Sequence, residues 1–304
     1  MKQFFVLAVS MLLCAACSNE SELTQVENKA NQGEKARVTV RVASFSIEKD
    51  DLPTGQSMTR GVTDAASSVD AVDLVFYDAE GTAVYSSTQI KDNSSTYETF
   101  GVFACDLPEG TYTMVAVGRA WFEGDVFEIT SPTLAAYTSG RPRETFCATQ
   151  SATVTTSAPL DLNVTLNRIC AKLTIESTDG RPAEITKIRT TYAKGGKGFS
   201  PTTGLATSDG GYAQINNPSK DAGATVKVSS FVFLTTGADE EETMDITIDA
   251  MDDDENVIYT KVATNVPLQR NCKTTLRGEL FTTGTSTASF QIETSWGAEK
   301  TAGF

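Results

Sequence analysis

From Arg37 onward, apolar and polar residues alternate over short stretches, and no apolar stripe of helical spacing recurs. Val38, Val40 and Val42 alternate with Arg37, Thr39 and Arg41; Phe45 and Ile47 continue on the opposite phase. Such alternation predicts half-buried strands, because successive strand side chains point to opposite faces. Val69 to Tyr77 reads as another strand, turned by Asp78-Ala79-Glu80-Gly81 into Ala83-Val84-Tyr85. Phe100 to Leu107 and Tyr112 to Val117 flank a turn at Pro108-Glu109-Gly110. Runs near 184–192, 226–236, 243–251, 256–264, 272–281 and 287–296 have the same character. Many short strands punctuated by Gly, Pro and Asp imply an all-β chain of antiparallel sandwiches or barrels.

One change of phase divides that chain. Leu160, Leu162, Val164 and Leu166 share a face, and after Asn167-Arg168 the apolar positions become Ile169, Ala171, Leu173 and Ile175, of opposite parity. A one-residue slip turns every side chain over, so the second run cannot continue into the same core. The alternative is a β-bulge within one sheet. The span from 37 to 304 favours two domains, so the boundary is expected near Arg168, with sandwiches at 37–167 and 168–304.

The N-terminus has a different pattern. Met1-Lys2-Gln3 precedes a run from Phe4 to Ala16 that is apolar except for Ser10, and Leu13-Cys14-Ala15-Ala16 leads into Cys17. This predicts a lipoprotein signal peptide over 1–16, cut between Ala16 and Cys17, with acyl chains such as palmitate on Cys17 tethering the body to the outer membrane. The run is too short to span a bilayer. Cys14 stands where leucine is usual in such a signal, and the alternative is an ordinary secretory signal leaving Cys17 free. Residues 17–36 are polar and charged and are expected to form a flexible tether.

Charge and composition narrow the chemistry. Removing residues 1–16, whose only charge is Lys2, takes the net charge from −14 to −15, which disfavours nucleic acid as a partner. No histidine is present, which excludes Ser-His-Asp and Cys-His triads and the commonest metal ligand. No enzymatic activity, cofactor or metal is expected. Four cysteines remain beyond Cys17: Cys105, Cys147, Cys170 and Cys272. Two per domain suggest bridges Cys105–Cys147 and Cys170–Cys272; buried thiols are the alternative. Asp249, Asp252, Asp253, Asp254 and Glu255 lack the ligand spacing of a calcium loop and read as a solvated hairpin tip, and Asp239 to Glu242 as a similar loop. Lys194-Gly195-Gly196-Lys197-Gly198 lacks the ending of a phosphate loop and reads as a flexible loop. Trp121 and Phe122 beside Gly124 form either an exposed ligand platform or, as is commoner in sandwiches, part of the core.

Four segments carry a family resemblance. Asp106-Leu107-Pro108-Glu109-Gly110-Thr111-Tyr112-Thr113 is similar to a turn and strand in the first domain of bacterial fimbrillins, the type V pilus subunits. Val164 to Leu173 resembles the junction of their two domains, Val266 to Gly278 a late strand of the second, and Ser289 to Gly297 the closing strand. The resemblance implies two tandem β-sandwiches of transthyretin-like, Greek-key topology, exported as a surface lipoprotein. Its partners would be other fimbrial subunits, the outer membrane through the lipid, and a receptor on a host or bacterial surface. In fimbrillin stalk subunits a trypsin-like protease removes the N-terminal strand, and a C-terminal strand from the next subunit fills the groove. Here the resemblance points to Arg60-Gly61 as the maturation site, the alternative being a plain surface arginine. It makes Ala288, Phe290, Ile292, Thr294 and Trp296 the candidate donor, or else the chain's own last strand, as in an anchor, tip or accessory subunit. Two rivals stand beside this reading: a glycan-binding surface lipoprotein, and a hydrolase built on paired carboxylates.

Overall fold

The computed structural model describes residues 34–46, 68–91, 100–219, 221–282 and 291–295. Its first strands are β1 (Lys35–Ser46), β2 (Ala71–Tyr77), β3 (Ala83–Ile90), β4 (Val102–Pro108), β5 (Gly110–Arg119), β6 (Val126–Ser131), β7 (Leu134–Ser139), β8 (Thr145–Val154) and β9 (Leu160–Arg168). They are followed by β10 (Ala171–Ser177), β11 (Lys187–Tyr192), β12 (Gly198–Phe199), β13 (Tyr212–Asn216), β14 (Lys227–Val232), β15 (Glu241–Met251), β16 (Val257–Gln269), β17 (Lys273–Gly278) and β18 (Gln291–Ser295). No α-helix occurs among the described residues, and the fold is all-β. β1 begins at Lys35 and Ala36 is already buried, so the strand starts two residues inside the expected tether.

The first sheet runs β3-β2-β5-β8-β9-β1-β4. Near its middle, β8 and β9 pair only at Phe146–Arg168 and Cys147–Asn167, apart from an isolated bridge from Thr155 to Ala158 at the other end of β8. That seam separates a four-stranded layer, β3-β2-β5-β8, from a three-stranded one, β9-β1-β4. Their inward side chains meet in one core: Val38, Val40, Phe103, Leu107 and Leu166 from the second layer against Leu74, Phe76, Met114 and Phe146 from the first.

The later strands repeat this plan. β13-β11-β15-β16 corresponds to β3-β2-β5-β8, and β14-β10-β17 to β4-β1-β9. β1 is antiparallel to β4 and parallel to β9; β10 is likewise antiparallel to β14 and parallel to β17. These layers enclose a second core that includes Leu173, Ile175, Ile188, Tyr192, Ile246, Ile248, Val266 and Leu276. Among the described residues β18 has no counterpart in the first half; it lies along the outer edge of β17.

A third apolar cluster joins the halves. Val75, Tyr77, Val115, Val117 and Cys147, on the far face of the β2-β5-β8 layer, pack with Ala135 and Tyr137 of β7 and with Ile169, Cys170, Phe199 and Phe233. A small sheet, β12-β7-β6, covers this face. With apolar material on both sides, every residue of β2 is buried, which is why its sequence lacks clean alternation.

Candidate functional site

β1 lies between two strands from later in the chain, β9 and β4. Its backbone pairs with β4 from Lys35 to Arg41 and with β9 from Val38 to Ser46. Ala36, Val38 and Val40 point inward, with only 7%, 0% and 1% of their surface exposed. Arg37 and Arg41 point outward and pair with Asp106 at 3.3 Å and Asp161 at 2.9 Å. Both ion pairs are open to solvent and contribute at most about 1 kcal/mol each. What holds β1 is its two ladders and a short row of apolar side chains, the valines contributing roughly 1.5–3 kcal/mol each. The register shifts between Val42 and Ser44, which is where the sequence changes phase toward Phe45. This is a β-bulge.

At Arg168 the same kind of phase change has a different outcome. β9 ends there in the first core, and β10 opens in another sheet and another core. Arg168 itself is buried and binds Glu144 at 2.7 Å and Asn271 Oδ1 at 2.7 Å, while its guanidinium lies 4.9 Å from the Phe146 ring centre. One side chain thus ties the end of β9 to the 143–145 segment and to the β16–β17 turn.

The glycine run at 194–198 is not a loose loop. Gly196 exchanges backbone hydrogen bonds with Phe233, Gly195 O accepts from Gly211 N, and Gly198 pairs with Ala136 of β7. Gly195 has φ of +74°, and a Cβ there would stand 2.5 Å from Phe233 O, so the position requires glycine. The run carries Phe199 into the cluster between the halves.

The expected bridges are not formed in this structure, where all four cysteines are thiols. β8 and β4 belong to the two facing layers of the first sandwich, which stand roughly 10 Å apart at the usual sheet-packing distance. Cys105 also faces the first core and Cys147 the shared cluster, whereas a bridge needs Cα atoms within about 7 Å. Cys170 and Cys272 have adjacent backbones, but their thiols diverge. Cys170 Sγ donates to Thr145 O at 3.8 Å and Cys272 Sγ to Gln269 Oε1 at 3.7 Å. Burial raises the Cys105, Cys147 and Cys170 thiols to about 12.

The acidic run forms the β15–β16 tip. Asp252 accepts from Asn256 N and Nδ2 at 2.8 and 2.9 Å, and these bonds lower its pKa. Asp249 lies inside the sheet, bound to Arg189 at 2.7 Å and Thr260 at 2.6 Å, and Glu255 pairs with Lys187. Glu242 is no solvated loop residue: it is buried and accepts from the Thr235 and Thr236 backbones at 2.8 and 3.2 Å. Among the described residues no acidic or thiol cluster could hold a metal ion.

Trp121 and Phe122 do not join the core and are 41% and 57% exposed. The flanking Glu123, Gly124 and Asp125 are the sequence signal for a turn in solvent. β18 pairs with β17 through Ile292–Leu276 and Thr294–Thr274, so this part of the candidate donor lies in the chain's own sheet. Ala288, Phe290, Trp296, Ala16, Cys17, Arg60 and Gly61 fall outside the described residues.

The profile of a family of unknown function, DUF6562, matches residues 35–303, from the start of β1 almost to the C-terminus. The chain belongs to that family. No curated protein matches its sequence. Among solved structures, this DUF6562 member is similar to a candidate adhesin from Bacteroides ovatus, with TM-score 0.49 and 11% identity over 80% of this chain and 88% of that one. It is also similar to the fimbrial anchor protein Mfa2 from Porphyromonas gingivalis, with TM-score 0.48 and 11% identity over 86% and 98% of the two chains. A third, the tip fimbrial protein Mfa3 of the same organism with a C-terminal truncation, has TM-score 0.39 and 14% identity over 86% and 99%.

Proposed function

We propose that this DUF6562 member is a non-enzymatic subunit of a surface fimbrium, exported as a lipoprotein through Cys17 and serving adhesion. Its two sandwich domains divide at Arg168, and assembly proceeds by exchange of the strand that occupies the β1 position. The carrying observation is the place of β1 between β9 and β4, with paired edges on both sides and Ala36, Val38 and Val40 in the core. Loss of that strand would leave two facing edges with unpaired backbone groups and empty side-chain pockets. An alternating apolar strand from another subunit can satisfy both. Arg37, held in the ladder with β4, and Arg41, held in both ladders, are poor protease sites, which leaves Arg60 in the connection between β1 and β2 as the cut.

Limited trypsin digestion tests this. Cleavage after Arg60, followed by ladder-like oligomers on size analysis, is the expected result. A chain cut at Arg60 that stays monomeric would remove stalk polymerisation from the proposal. A second reading is favoured by one observation: β18 completes the chain's own sheet beside β17. A subunit that uses its C-terminal strand itself has none to donate, as suits an anchor or tip. Deleting residues 288–304 separates the two readings, since it abolishes oligomers only where that strand is donated.

A further inference from the structure

Trp121 and Phe122 are the only aromatic side chains among the exposed large hydrophobic residues described, and their exposure is built rather than incidental. They sit on the turn between β5 and β6, closed by Asp125 N donating to Phe122 O at 3.1 Å, with Gly124 at a φ of +92°. Ala120 N donates to Glu144 O at 3.1 Å, fastening the turn to the 140–144 segment. Asp125 binds Arg143 Nε at 2.5 Å, and both side chains are largely buried. The Asp125 carboxylate occupies the space a Cβ on Gly140 would need, 1.9 Å away. Arg143 in turn places its guanidinium 4.4 Å from the Phe122 ring centre. A buried ion pair therefore supports one exposed ring from beneath, a preorganised arrangement that lowers the ordering cost of binding.

We infer that this turn is a contact site for a neutral sugar ring on a surface glycan. The occupant follows from size and charge. Two partly exposed rings offer on the order of 200 Å², well short of the roughly 800 Å² per partner that a stable protein interface buries. That favours a small flat ligand over a second copy or another protein. Nucleobases stack equally well on such rings, but they carry phosphates that a chain of net charge −14 repels. A pyranose has an apolar face of matching size and no charge. The site rests on the adhesive part of the proposed function and is independent of strand exchange.

The test compares the full chain, the double variant Trp121→Ala/Phe122→Ala and the control Leu134→Ala on a microarray of neutral oligosaccharides, with titration calorimetry of any glycan retained. Leu134 is 41% exposed at the opposite end of the β6–β7 hairpin, so it controls for lost apolar surface. The expected result is binding by the full chain and the control, and at least a tenfold loss in the double variant at an unchanged urea midpoint. An array on which the full chain retains nothing overturns the site. So does equal binding by the double variant, or a double variant that instead loses self-association. Running the trypsin assembly assay on the double variant separates the two ideas: oligomers that form without glycan binding leave strand exchange standing.

Discussion

Asp73 and Arg119 sit diagonally on neighbouring strands of the first sandwich, with side chains only 10% and 7% exposed. Arg119 Nε donates to Asp73 Oδ2 at 2.8 Å, Thr88 Oγ1 donates to Asp73 Oδ1 at 2.6 Å, and the guanidinium lies 5.0 Å from the Phe127 ring centre. A buried pair adds little net stability, because both charges were stripped of water, but removing one partner strands the other. Asp73→Ala should therefore cost about 3–5 kcal/mol, read from urea denaturation. Asp73→Leu combined with Arg119→Leu should recover most of that loss. The sequence does not reveal this pair: Asp73 sits in an apolar run and Arg119 lies on another strand. Arg168 is similar. Its neighbours in sequence mark a boundary, but its partners Glu144 and Asn271 are found only through the fold.

At the scale of elements, one sequence signal has two structural meanings. The phase change after Val42 is a bulge inside a strand, while that after Leu166 carries the chain from one core to another. Parity alone does not distinguish them, because both reverse the face on which apolar residues fall. The strands beginning at Val126, Leu134, Thr145 and Tyr212 gave no clear alternating signal either. β6 is half-exposed throughout, and β8 opens on three consecutive buried residues, Thr145 to Cys147. The 194–198 run was legible as glycine-rich, yet its role depends on Phe233 arriving from elsewhere in the chain. Gly195→Ala should destabilise the protein by more than the roughly 1–2 kcal/mol cost of a left-handed alanine, since the new Cβ meets Phe233 O as well. Gly81→Ala provides the comparison: φ is +80° but nothing lies within 4 Å, so only the backbone cost remains. The difference between the two denaturation midpoints measures the close approach.

For the molecule as a whole, burial of acids that are neutral at physiological pH sets an alkaline limit. Desolvation raises Cys105, Cys147 and Cys170 from 9.0, and Tyr77 from 10.0, to about 12. Burial also pushes Tyr137, Tyr192 and Tyr212 upward. Each raised group binds its proton more tightly in the folded state. The stability it contributes is complete below its unfolded pKa and is lost as pH rises through the folded one. Urea midpoints should therefore fall steadily between about pH 9 and 12, and a flat profile there would contradict the burial of these groups in both halves. The alternating runs determined by themselves that the chain is all-β and where most of its strands lie, because side-chain period is a local property of an extended backbone. They also marked turns such as Asp78 to Gly81, where Asp78 accepts from Thr82 N at 2.7 Å. Only the tertiary structure decided which thiols are neighbours, that the glycine run is a clasp, that Trp121 and Phe122 face solvent, and that β1 is held between β9 and β4. These are relations between residues far apart in the chain, fixed by the order in which strands enter their sheets.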